Sequence, residues 1–157
     1  MEFTKEQALN LIAKWDKYDK NFQSIVFQNS HIPEIDSVPF QHAVFRYFAY
    51  LKTLIQESEN NLVDEIFEKL HDEIPNITND SVDAYGFNWI DVSEKIKYLW
   101  DREYLRSYKQ LHKLNLKELE EIANYHLVND YLIEFSKRFE AEFTKELKLE
   151  QQNQMSM

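Results

Sequence analysis

Glycine occurs once in these 157 residues, at Gly86, and cysteine does not occur at all. An average chain of this length holds about ten glycines, and the tight turns of β-hairpins depend on them. Their scarcity argues against a sandwich, a barrel or a dinucleotide-binding fold. It also removes the glycine-rich loop that cradles phosphate and the elbow that presents a catalytic serine. Without cysteine there are no disulfides, thiolate metal sites or thiol nucleophiles, which suits a reducing compartment. Proline is confined to Pro33, Pro39 and Pro75. No run of 18 apolar residues is present, so no membrane span is predicted. The opening Met1-Glu2-Phe3-Thr4-Lys5-Glu6 lacks the basic-then-apolar order of a secretory signal, and the cytoplasm is the expected location.

What remains is rich in Leu, Lys, Glu and aromatics, and it reads as helix. Thr4 and Gln7 have the spacing of a capping box, followed by Ala8, Leu11, Ile12, Trp15 and Tyr18 at helical intervals. Residues 31–39 read as a connector, because positions before proline avoid helical angles. The clearest stripe is Phe40, Ala43, Val44, Tyr47, Phe48, Leu51, Leu54 and Ile55, with Ser37 able to cap it and Pro39 in its first turn. A shorter helix through Leu62, Val63, Ile66, Phe67 and Leu70 is predicted to end before Pro75. An irregular stretch from Ile74 to Ile90 follows.

Asp91 or Ser93 can cap the next helix, with Ile96, Leu99, Trp100, Leu105, Tyr108 and Leu111 inward. Asn115 and Glu118 open the last helix, whose Leu119, Ile122, His126, Leu132, Phe135, Phe139 and Phe143 recur near every 3.5 residues. A break is expected near Asn129-Asp130, and His126 is expected to be a hydrogen-bonded core histidine. The expected fold is all-α: a single-domain antiparallel helical bundle of five to seven helices with one irregular acidic loop. The bundle occupies residues 1–147, and the polar stretch 148–157 is expected to be a disordered tail.

Charge is segregated along the chain. Residues 1–56 and 95–157 are each neutral on balance. Residues 57–94 carry eleven acids (Glu57, Glu59, Asp64, Glu65, Glu68, Asp72, Glu73, Asp80, Asp83, Asp91, Glu94) against Lys69 alone, which accounts for the whole formal charge of −10. Such a field repels nucleic acid and anionic membrane and attracts basic surfaces. Within it, Tyr85, Phe87 and Trp89 sit among carboxylates. Aromatic anchors rimmed by acids can hold a basic protein, the rings giving buried contacts and the charges steering and specificity. The candidate partner-binding residues are therefore Asp72, Glu73, Asp80, Asp83, Tyr85, Phe87, Trp89 and Asp91. The alternative is that Phe87 and Trp89 plug the core while the carboxylates form a solvated face.

Arg102, Arg106, Lys109 and Lys113 align on one helical face and could meet Glu65, Glu68 and Asp72 within the molecule. The stretch Arg106-Ser107-Tyr108-Lys109-Gln110-Leu111-His112 resembles the Arg-spacer-His arrangement of HEPN-family helical ribonucleases. The resemblance covers seven residues and departs from the family at Ser107. It implies His112 for proton transfer and Arg106 for phosphate charge, acting on RNA at a dimer interface. Glu68-Lys69-Leu70-His71 has the Glu-x-x-His spacing of di-metal bundles, but the pattern occurs once where two copies are needed. No metal or other cofactor is expected, and no small-molecule substrate is evident.

The function these features suggest is an acidic helical protein that neutralises a basic partner, foremost an immunity protein or antitoxin against a nuclease-type bacterial toxin. A phage decoy that blocks a nucleic-acid-binding defence complex would use the same surface. A ribonuclease built on Arg106 and His112 is the alternative of a different class.

Overall fold

The computed structural model describes residues 2–15, 38–59, 62–85, 92–105 and 114–155. Among them are five helices: α1 (Lys5–Trp15), α2 (Val38–Glu57), α3 (Val63–Tyr85), α4 (Val92–Asp101) and α5 (Leu116–Met155). The expectation of an all-α bundle holds. The described residues contain no strand; Glu2 and Leu62 form an isolated antiparallel bridge that ties the first residues to the α2–α3 turn.

Both capping boxes form as their spacing predicts. The Gln7 amide donates to Thr4 Oγ1 at 3.2 Å, and the Thr4 amide reaches Gln7 Oε1 at 3.5 Å. At the start of α5 the Glu118 amide donates to Asn115 Oδ1 at 2.9 Å, and Asn115 Nδ2 donates to Glu118 Oε1 at 3.1 Å. Each side chain thereby satisfies an amide that has no partner inside the helix.

The core lies among α1, α2, α3 and α5. Seven of the eight positions of the α2 stripe are buried, and Leu54 packs partly buried against them. The stripe's rings interlock with those of α5: Tyr47 lies edge-on to Phe135 at 5.4 Å and to Phe139 at 6.0 Å, and Phe48 edge-on to Phe139 at 5.0 Å. Phe67 brings α3 into the same stack against Phe139 and Phe143. Edge-on pairs set the positive rim of one ring against the negative face of the next, and each large ring buried contributes about 1.5–3 kcal/mol. A second, smaller cluster of Leu99, Leu105 and Ala123, with Ile96, Tyr104, Leu119 and Ile122, holds α4 on α5.

Four expectations are corrected. First, α3 does not stop before Pro75 but runs through it to Tyr85, so most of the expected irregular acidic loop is helix. Pro75 removes the bond to the His71 carbonyl and clashes locally, a cost of about 3 kcal/mol. Burial of Ile74, Ile77, Thr78 and Ser81 on the inward side offsets it, while Pro75 itself faces solvent. Second, α5 continues unbroken through Asn129-Asp130.

Third, residues 148–155 are helical rather than a disordered tail. Leu147 is fully buried, Glu150 pairs with Lys14 at 3.8 Å, and Gln151 Nε2 donates to the Glu2 carbonyl at 2.9 Å. The last two turns are thus tied to α1 and the residues before it. Fourth, Trp100 is not core but 47% exposed, because Ile96, Leu99 and Lys95 take the inward positions of α4. No helix of the described residues is long and apolar enough to cross a membrane.

Candidate functional site

With α3 continuous, its acidic residues become a helical face. At 100° per residue, Glu65, Glu68, Asp72 and Asp83 fall on the arc opposite the buried Ile66, Phe67, Leu70, Ile74, Ile77 and Ser81, while Glu73 and Asp80 lie at its border with the buried face. Asp72 and Asp83 are exposed at the centre of that arc, and Glu73 is half-buried on its edge toward α2. Asp80 is also on that edge, where Arg46 of α2 pairs with it at 2.9 Å, both side chains about half exposed. Asp80 is therefore a carboxylate already shared with this chain, unlike the free anchor that its position in the sequence suggested. Tyr85 closes α3; its side chain, and Phe87, Trp89 and Asp91, lie outside the described residues.

Glu73 and Asp80 border a groove of about 310 Å³ along the α2–α3 seam, lined also by Ala49, Thr53, Asn76 and the buried Ile77. Its outer wall is Phe45, the most exposed large apolar side chain described, at 66%. Tyr50 lines the same groove, and its hydroxyl is pushed above the ordinary phenol value by burial and then by the charges of Glu73 and Glu57. Sequence reading missed Phe45 and Arg46. The signal for Phe45 was available, since a large ring at that position stands off the otherwise clean α2 stripe.

His42 of α2 also contacts α3. The buried Ser81 hydroxyl donates to the Ile77 carbonyl at 2.9 Å, and His42 Nδ1 lies 2.9 Å from the same hydroxyl oxygen. The imidazole and the hydroxyl are thus hydrogen-bond partners across the two helices, with the donor set by the tautomer. Burial, then the Arg46 charge, lowers the His42 pKa, with Asp80 opposing. Although histidine and serine are adjacent, Ser81 is fully buried, out of reach of a substrate on the surface.

A second polar cluster joins α4 to α5. Asp130 accepts hydrogen bonds from both Tyr98 and Tyr104, the latter at 2.8 Å. Tyr104 stacks flat on His126 with centroids 3.7 Å apart, and Arg102 lies over the Tyr98 ring at 5.4 Å. The chain reaches this geometry through a Schellman turn. The Tyr104 amide bonds the Leu99 carbonyl and the Glu103 amide that of Trp100, with Glu103 left-handed at φ 65°. Burial, then the Asp130 hydrogen bond and charge, raises both phenols, Tyr104 to about 12. Burial lowers His126, with Asp130 opposing. His126 thus stacks on a tyrosine at the core's edge.

Nearby, Lys95 is only 1% exposed and donates to Glu120 at 3.0 Å. These groups tie helices together and border no cavity described. Lys95 was legible as a lysine four residues before Leu99, hence on the inward face.

The remaining sequence candidates separate. Arg106, Lys109, His112 and Lys113 lie outside the described residues, and Arg102 faces Tyr98. Among the described residues, Arg46 of α2 pairs with Asp80 at the border of the α3 arc. Glu68 points to solvent while His71 turns Nε2 inward, unpartnered, beside Phe67. Among the described residues no three His, Asp or Glu side chains converge as a metal site.

A further concavity of about 540 Å³ runs along the C-terminal half of α5, over Ala141, Thr144 and Leu149, with Lys137, Lys145 and Lys148 on its rim. Its cations make it the electrostatic opposite of the α3 face. No family model, curated protein or solved structure matches the chain.

Proposed function

We propose that this chain is an acidic binding protein that neutralises a basic partner, most economically as a cytoplasmic immunity protein or antitoxin against a nuclease-type bacterial toxin. The observation that carries this reading is the outward arc of α3, where Glu65, Glu68, Asp72 and Asp83 stand against Lys69 on a continuous helix, with Glu73 and Asp80 along its border. Eighteen residues of helix rise about 27 Å. Along a nucleic-acid strand that length corresponds to about eight phosphates. A nuclease must present cations to hold such a strand, and a rigid carboxylate stripe of matching length can occupy the same groove. Steering by complementary charge makes the association fast and salt-sensitive.

The test is affinity capture from the source cell, read by mass spectrometry, with wild type beside a Glu68→Lys, Asp72→Lys, Asp83→Lys variant. All three positions are exposed, so the fold is retained and circular dichroism verifies it. The expected result is a basic protein held by wild type, released by salt and lost by the variant, whose nuclease activity wild type suppresses. Identical proteins on both baits, or none that is basic, would overturn the proposal.

A further inference from the structure

The seam beside the acidic arc narrows what the partner must present. The α2–α3 groove is lined by exposed Ala49 with the buried Ile77 beneath, and Phe45 stands beside them with two-thirds of its surface exposed. Glu73 and Asp80 border the groove on one helix, seven residues apart, which places them about 10.5 Å apart along the axis. Asn76 lies between them on the same wall and donates to Glu73 Oε1 at 3.0 Å, as Arg46 does to Asp80. Two carboxylates at this interval beside the apolar Ala49 and Phe45 have a complementary counterpart. On an amphipathic helix, basic residues at i and i+7 share a face with apolar residues at i+3 and i+4.

Arg46 occupies one side of Asp80. A carboxylate has lone pairs for more than one donor, so an incoming guanidinium can join the pair. The groove is open and shallow, which suits a side chain laid along it better than an enclosed small molecule.

We infer that the α2–α3 groove seats one cationic amphipathic helix of the partner. Its apolar side chains at i+3 and i+4 lie on Ala49 and Phe45, and its basic side chains at i and i+7 meet Glu73 and Asp80. This rests on the reading of the protein as a binder of a basic partner, and adds the secondary structure and register of the segment bound.

The probe is a labelled synthetic helical peptide of about fifteen residues with two arginines seven positions apart and two leucines between them. A control peptide has the same composition with one arginine moved to the opposite face. Both are titrated into the full chain by fluorescence anisotropy, with amide shifts mapped by NMR. The matched peptide should bind at least about tenfold more tightly than the control, a difference one lost charge-assisted contact accounts for. Shifts should centre on Phe45, Ala49, Glu73 and Asp80. Ala49→Arg, at an exposed helical position that tolerates the change, should abolish binding, and Glu73→Gln should weaken it several-fold.

Equal binding of both peptides, no binding, or unchanged binding by Ala49→Arg overturns the inference. Binding lost in the Glu68→Lys, Asp72→Lys, Asp83→Lys variant but kept in Ala49→Arg leaves the acidic-face reading standing and removes only the groove. A dimer in sedimentation that Ala49→Arg splits would assign the groove to a second copy of this chain and likewise overturn the inference.

Discussion

Tyr47 and Ser136 are both fully buried, and their hydroxyls meet at 2.9 Å across the α2–α5 interface. Tyr47→Phe removes one hydroxyl, keeps the ring and its edge-on contacts, and strands the Ser136 hydroxyl in an apolar surrounding. The cost of leaving a buried polar group unpaired is about 1–3 kcal/mol. Ser136→Ala strands the Tyr47 hydroxyl at a similar cost, reduced by about 0.5 kcal/mol because alanine is the better helix former. The double variant strands neither group. It should lie within about 1 kcal/mol of wild type, giving a coupling of about 3 kcal/mol at the middle of these ranges. The assay is urea denaturation followed by circular dichroism at neutral pH for all four proteins. In a domain of this size each kcal/mol moves Tm by about 2–4 °C, so the singles should melt visibly below both wild type and the double. Additive losses in the double variant would refute the reasoning and mean that the damage comes from packing rather than from the orphaned hydroxyl.

Two further outcomes follow from the same geometry. Pro75→Ala should stabilise the protein by about 1–3 kcal/mol, since it restores a helical hydrogen bond at an exposed position inside α3; a lower Tm would mean the proline is needed where it stands. Tyr47, Tyr98 and Tyr104 all have folded pKa values raised above the ordinary phenol value near 10, chiefly by burial. The unfolded chain therefore loses these protons first. Stability is intact below about pH 10 and falls above it by about 1.4 kcal/mol per pH unit for each such tyrosine, Tyr104 ceasing to contribute beyond about 12. Tyrosinate absorbance should show at least three of the nine tyrosines ionising only as the helical signal is lost. Ionisation of all nine with the helices intact would contradict the burial argument.

The helices were largely legible because the information that makes them is local. The α2 stripe, the Thr4-Gln7 and Asn115-Glu118 caps and the aromatic register of α5 each depend on residues within a turn or two of one another. The candidate site was legible in part for the same reason. Charge counts located the acids, but the rule that proline ends a helix misassigned α3, and with it the shape of the acidic segment. That rule prices one lost hydrogen bond and one clash. It is blind to the apolar side chains on either side of Pro75 finding α2 and α5 to pack against.

Composition and periodicity were thus enough to determine that the chain is helical, has a single glycine and so no glycine-rich loop, and carries its net charge in one segment. Tertiary structure alone decided that this segment is a helical face beside a groove walled by Phe45, and that Arg46 shares Asp80. It also decided that Asp130 is claimed by Tyr98 and Tyr104, 32 and 26 positions away. Backbone propensity and side-chain period act over one or two turns of chain. Pairings between helices depend on how whole faces pack, and no local run of residues records them.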